Sequence, residues 1–222
     1  MYPLQPQKWQ IEHREYHRHD LQDTDKFFNF VKHKGVILSD HGPDNSRSIC
    51  VQEAMKYVRQ NQNAIDVGCR DGEYTRYLTR HFQHCFTFDY RYRLHFSFNV
   101  NTNMVTHFTC ALGERPGSIK ASGRGNIRAK KIDGGWKPGD GGVLVEIYNL
   151  DQFDLRDVGL LKVDVDGMDE EVLRGAHGLI RDCKPVIIVE QESDSTHNAI
   201  GYLTTEFGYE IKFKTRIDWV LA

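Results

Sequence analysis

Between residues 64 and 192 the chain repeats one pattern: a short apolar run, a turn, then an amphipathic stretch. AIDVG (64–68) reads as a buried strand broken by Gly68. GEYTRYLTRHF (72–82) predicts an amphipathic helix, with Tyr74, Leu78 and Phe82 near helical spacing. CFTFDY (85–90) predicts a second strand, RYRLHFSFNVN a helix, and VTHFTCALG (105–113) a third strand. VLVEIYNL (143–150), GLLKVDVDG (159–167) and KPVIIVEQE (184–192) predict further strands, and MDEEVLRGAHGLIRD a helix with acids in its first turn. Strands that alternate with helices cannot be hairpin partners, so they must pair in parallel through βαβ crossovers. The segment GYLTTEFGYEIKFKTRIDWVLA predicts a short helix and an antiparallel hairpin that close the sheet.

Two regions stand outside this pattern. Residues 1–60 predict an N-terminal extension with short helices at 21–34 and 48–60, the second placing Val51, Met55 and Val58 on one side. The alternating domain then covers 61–222. Within it, residues 114–142 are rich in glycine and basic residues without an apolar period, and predict a long functional loop.

Composition narrows the function classes. With 39% apolar and 11% aromatic residues the chain can bury a core, which a disordered chain cannot. The 29 basic and 31 acidic residues nearly cancel, so binding to nucleic acid or an anionic membrane through global charge is not expected. The cysteines Cys50, Cys69, Cys85, Cys110 and Cys183 are scattered, with no CxxC pair. That pattern suits neither a disulfide framework nor a zinc knuckle, and points to reduced thiols in a cytoplasm. No apolar run reaches the roughly 18 residues of a membrane span.

Four constellations carry chemistry. In AIDVGCRDGEY a strand ends in Asp66, and Gly68 and Gly72 lead into a helix. Glycines permit a tight turn and close backbone approach, and helix amides face a ligand. The spacing is not the G-x-G-x-x-G of a dinucleotide cradle. An acid two positions before the first glycine suits a cationic ligand group instead. Asp89, at the tip of the second strand, is placed to accept both hydroxyls of a ribose. Asp164 and Asp166 lie at the tip of GLLKVDVDG, where the ligand crevice of an open α/β sheet forms. Glu190, Glu192 and His197 follow the next strand at the same edge and are candidate proton acceptors. His13 and His17 in HREYHRHD have i, i+4 spacing but no acid or cysteine partner at firm spacing, which favours a solvated polar terminus over a metal site.

Taken in order, these segments resemble the FkbM-type family of S-adenosylmethionine-dependent methyltransferases. The matching stretches are DVGCRDGEYT (66–75), FDY (88–90), NLDQF (149–153), LKVDVDGMDEEVLRG (161–175) and KPVIIVEQE (184–192). The resemblance implies a Rossmann-like class I methyltransferase fold: an α/β architecture with a seven-stranded, mainly parallel sheet, helices on both faces and an antiparallel last strand. It implies S-adenosyl-L-methionine as cofactor and S-adenosyl-L-homocysteine as product. Carried over, Asp66, Gly68 and Gly72 form the cofactor turn, Asp89 holds the ribose, Ala111 lies beside the adenine, and Asp164 lines the methyl-donor end. This chain departs from the family pattern at Cys69-Arg70, where the family has Ala-Asn, at Asp89-Tyr90 and at Asp166. Arg70 sets a cation beside a sulfonium.

The implied reaction is O-methylation of a hydroxyl on a saccharide or other small molecule. A neutral alcohol is a weak nucleophile, so a base is expected, with Asp166, Glu192 and His197 as candidates. The need for a metal and the oligomeric state stay open, and no residue is assigned as a metal ligand. Methylation of a protein or nucleic acid, and a binding subunit without catalysis, are the alternative readings. Charge is unevenly spread. Residues 114–137 hold seven bases against two acids, a net of +5, whereas 140–171 hold ten acids against two bases, a net of -8. The basic stretch suits a lid over an anionic acceptor.

Overall fold

The computed structural model describes residues 2–7, 46–122, 130–132, 135–137, 142–165, 167–190 and 194–222. In chain order, helix α1 (Ser46–Met55) precedes β1 (Asn63–Val67), α2 (Thr75–Leu78), β2 (His84–Asp89), α3 (Leu94–Asn99) and β3 (Val105–Thr109). Five short strands follow: β4 (Ala111–Leu112), β5 (Gly117–Ser122), β6 (Lys130–Ile132), β7 (Gly135–Lys137) and β8 (Gly142–Tyr148). Then come β9 (Val158–Val163), α4 (Asp169–Arg174), α5 (His177–Cys183), β10 (Val186–Glu190), α6 (Asp194–Phe207), β11 (Ile211–Lys214) and β12 (Asp218–Leu221).

Seven strands form one sheet in the order β11-β12-β10-β9-β1-β2-β3. The five from β10 to β3 pair in parallel, and β12 runs antiparallel to β10 and β11. This is the expected class I methyltransferase architecture. The alternation of side chains sends Ile65, Val67, Phe86 and Phe88 into a core on one face, against Leu173 and Ile180. It sends Ala64, Cys85, Leu160 and Ile188 into a second core on the other, against Cys50, Val51 and Ala54 of α1. Central strand β9 is buried at every position, as a strand covered on both faces must be. Near the N-terminus, the amide of Gln7 donates to the His107 carbonyl on edge strand β3 (2.7 Å), and Tyr2 packs edge-on against Phe108.

Three expectations need correction. The 114–142 stretch is not one loop: β5 pairs antiparallel with β8 from Gly117↔Ile147 to Ser122↔Gly142, and β6 pairs with β7. Ile119 of β5 packs with Val145 and Ile147 of the 143–150 run already read as a strand, and β5 itself, GSIKAS, has too sparse an apolar pattern to read as one. The 105–113 run is two strands. It bends at Cys110, leaving β3 in the large sheet while β4 joins β8 in a three-stranded sheet, so the 143–150 strand also lies outside the large sheet. The 72–82 helix is regular only over four residues. Bonds of the i to i−4 type run from Arg76–Gly72 to Phe82–Leu78, but shorter bonds at Tyr77, Arg80 and His81 tighten the turns between them. The 21–34 helix, His13 and His17 lie outside the described residues. Among those described, no helix is long and apolar enough to cross a membrane.

His107 on β3 is buried beneath the first glycine turn. Its Nδ1 lies 2.9 Å from the Thr87 hydroxyl and 3.7 Å from the Cys69 sulfur, and its ring packs against Tyr92 and Phe96. Burial pushes its pKa down from 6.5 to about 4. The folded protein therefore keeps the ring neutral, while unfolding takes up a proton below about pH 6.5. The stability from this group is complete above that pH and is lost as pH falls toward 4. Urea denaturation at about pH 7 and about pH 5 should show His107→Asn losing less stability on acidification than the parent protein. Equal losses would mean that the imidazole does not govern this limb.

Candidate functional site

The chain proceeds from β1 to β2 and β3 in one direction, then crosses to β9 and β10 on the other side of β1. The strand order thus reverses between β1 and β9, and the carboxyl ends of these strands bound a crevice. An open cleft lies there. Gly68 and Arg70 from the β1 turn, Asp89 and Tyr90 from the tip of β2, Ala111 and Leu112 from β4, and Asp164 and Met168 beyond β9 line it.

The turn after β1 is shaped by crowding. Gly68 has a φ of +75°, and a Cβ there would sit 1.8 Å from the Asp164 carbonyl oxygen. Gly72 has a φ of +84°, and its Cβ would press on Val100 at 2.6 Å. Arg70 also adopts a left-handed conformation, with φ 47°, which costs a non-glycine residue about 1 kcal/mol or more. Its amide donates to Asp89 Oδ2 at 2.9 Å, and the amide of Arg91 donates to Oδ1 at 3.0 Å. Asp89 is thereby pinned at the cleft wall. Burial raises its pKa, while the two amides and the Arg93 guanidinium oppose that rise.

Behind the turn lies a buried charge cluster that periodicity alone does not suggest. The β1–β9 register sets Lys162 opposite Asp66. Lys162 Nζ lies 3.3 Å from Asp66 and 3.1 Å from Asp164, and donates to the carbonyls of Val67 (3.4 Å) and Gly68 (3.3 Å). The Asp66 oxygen facing Lys162 is at ion-pair distance but off hydrogen-bond geometry; its other oxygen accepts from the Thr75 hydroxyl at 2.6 Å. Although burial alone would lower the Lys162 pKa, Asp164 and Asp66 raise it, and the ammonium stays charged. Burial works to raise Asp164, but Lys162, a hydrogen bond with Glu190 and the field of Arg70 hold it low. Next to this cluster, the Tyr74 hydroxyl donates to Asp218 on β12 at 2.5 Å, and burial pushes Asp218 up to about 6.

Four of the six cofactor-side residues expected from the sequence therefore meet at the cleft: Gly68, Asp89, Ala111 and Asp164. Asp66 does not reach it. It is fully buried, ion-paired with Lys162 and bonded by the Thr75 hydroxyl, and it lies behind the turn. Gly72 packs on Val100 and Phe96 away from the opening. Of the candidate bases, His197 is exposed on α6, edge-on to Trp219 at 5.6 Å, and does not line the cleft. Asp166 and Glu192 lie outside the described residues. Lys162 was missed, although a lone lysine in the apolar run LLKVDV is itself a signal, because a buried ammonium requires counter-charges.

The methyltransferase FkbM domain model matches residues 23–211. The chain belongs to the FkbM methyltransferase domain family. Solved structures of similar fold include an FkbM methyltransferase from Methylobacillus flagellatus KT, 14% identical with a TM-score of 0.48. That match covers 90% of this chain and 58% of the other, so the FkbM-type chain described here spans less than two thirds of that relative. Precorrin 8W decarboxylase from Methanobacterium thermoautotrophicum is also 14% identical, with a TM-score of 0.50 over 81% of this chain and 90% of its own. A precorrin-6y C5,15-methyltransferase from Geobacter metallireducens GS-15 is 13% identical, with a TM-score of 0.46, covering 79% and 84% of the two chains. No curated protein matches the sequence significantly.

In this FkbM domain the buried lysine is the test of how the site is held. Lys162→Met leaves Asp66 charged and buried without its counter-charge, which should cost roughly 3–5 kcal/mol of stability in urea denaturation. Adding Asp66→Asn should restore part of that loss, because the two residues act as one unit. Additive losses would show that the pair is not coupled.

Proposed function

We propose that this domain binds S-adenosylmethionine in the cleft at the β1, β2 and β9 tips and methylates a hydroxyl of a saccharide or other small molecule. The observation that carries the reading is Asp89. It is buried at the cleft wall, and its carboxylate is fixed by two backbone amides, one on each oxygen. Each oxygen keeps a further lone pair, so the same carboxylate can accept the two hydroxyls of a ribose. Ala111, Leu112 and Met168 offer an apolar wall for an adenine, and Asp164 offers an acid for an α-amino group.

When bound, the cofactor supplies a methyl group on a sulfonium, already activated for transfer. The protein then has to align the acceptor oxygen with that methyl and take the hydroxyl proton. In the sequence Asp166 comes three positions after the end of β9 and Glu192 two positions after the end of β10. We assign them as the proton acceptors to be tested first, ahead of His197, whose ring is turned against Trp219.

The nucleic-acid alternative draws slight support from the interleaved aromatic and basic residues of DYRYRLHF (89–96). In DYRYRLHF, Phe96 is fully buried and Tyr92 packs on His107, so neither ring is a platform for a base.

Calorimetric titration should show binding of both S-adenosylmethionine and S-adenosylhomocysteine. Asp89→Ala should weaken that binding roughly 10- to 100-fold, the equivalent of charge-assisted hydrogen bonds worth about 1.5–3 kcal/mol. A methyl increment on hydroxylated saccharides, read by mass spectrometry, would identify the acceptor class. Failure to bind either adenosyl compound would overturn the reading.

A further inference from the structure

We propose that Arg70 is the receptor for the α-carboxylate of the bound cofactor, completing with Asp164 a two-handed grip on its amino-acid end. The inference rests on the cofactor reading above and adds to it a residue that the family pattern does not supply. At this position the family resemblance gives Asn, and the cation has the look of an obstacle to a sulfonium ligand. The cofactor's amino-acid end is a zwitterion, however, so a site that recognises it needs a cation as well as an acid.

The surroundings of Arg70 decide which partners remain. The acids adjacent to it in sequence are engaged elsewhere: Asp71 pairs with Arg93 at 3.5 Å, and Glu73 pairs with Arg47 at 2.9 Å. Lys162 is buried and held between Asp66 and Asp164. Of the three cations at or beneath the cleft, Lys162 and Arg93 thus serve protein carboxylates. Arg70 is exposed, and it lines the cleft.

Its backbone is fixed independently of its side chain. The left-handed φ of 47° is held by the amide bond to Asp89 and flanked by the glycine turns at 68 and 72. A strained non-glycine residue maintained at a cleft is a sign of function. From that anchor beside the ribose acid, the guanidinium exerts its field on Asp164, at the methyl-donor end. Asp89, Arg70 and Asp164 line the same cleft, so one ligand can reach the ribose acid, a cation and a second acid together. A guanidinium also matches a carboxylate in two parallel hydrogen bonds, which an Asn cannot do.

The test uses the full chain and three probes: S-adenosylhomocysteine, its analogue lacking only the carboxylate, and 5′-methylthioadenosine. The parent protein should bind S-adenosylhomocysteine roughly tenfold or more tighter than the decarboxylated analogue. Arg70→Gln should erase that preference by weakening the former, while the affinity for the analogue stays within about threefold, and Arg70→Lys should recover part of it. Equal affinity of the parent protein for the two ligands overturns the proposal without any variant, so a poorly folded variant does not protect it. So does an Arg70→Gln protein that keeps the preference or loses both ligands equally. Binding of none of the three probes by the parent protein overturns the cofactor reading, and this inference with it. Binding of all three with no preference overturns the Arg70 role alone.

Discussion

A single ammonium group, Lys162, sits where the fold can least accommodate one, and the arrangement of the site follows from how its charge is met. A cation in the centre of a buried strand is tolerated only with carboxylates and carbonyls around it. The parallel register supplies Asp66 from the neighbouring strand, the strand's own end supplies Asp164, and the turn after β1 folds its carbonyls back onto the same atom. Lys162 thereby ties together the two strand tips that bound the cleft. The glycine at 68 is required because the turn must approach Asp164 so closely that no side chain fits.

This arrangement separates acids that look alike in the sequence. Asp66 is spent on the core. Asp89 is pinned by an amide on each oxygen at the cleft wall. Asp164 faces both ways, toward Lys162 within and toward the cleft without. Three aspartates at three strand ends thus have three different tasks, set by what each one touches.

The sheet was legible because its strands are apolar runs of the right length, separated by helices and glycine turns. Asp89 and Gly68 were legible for the same reason: each ends a recognisable strand. What remained hidden depends on contacts between distant segments. The Asp66–Lys162 pair is a matter of register across 96 residues, and the Tyr74–Asp218 bond spans 144. β8 reads as a strand, but its partner β5 lacks an apolar period strong enough to stand out from a glycine-rich background. The bend at Cys110, which passes the chain from one sheet to another, has no glycine or proline to mark it.

Strand β12 has a bearing on how the domain is delimited. The family match stops at residue 211, yet β12 (218–221) does not lie at the margin of the sheet; it is inserted between β11 and β10. A fragment cut at the limit of sequence similarity would lose an interior strand with partners on both sides. It would strip the antiparallel cover from β10 and take Asp218 from Tyr74, beside the glycine turn after β1. The family match thus ends before the sheet does, and an expressible unit has to be drawn by the sheet.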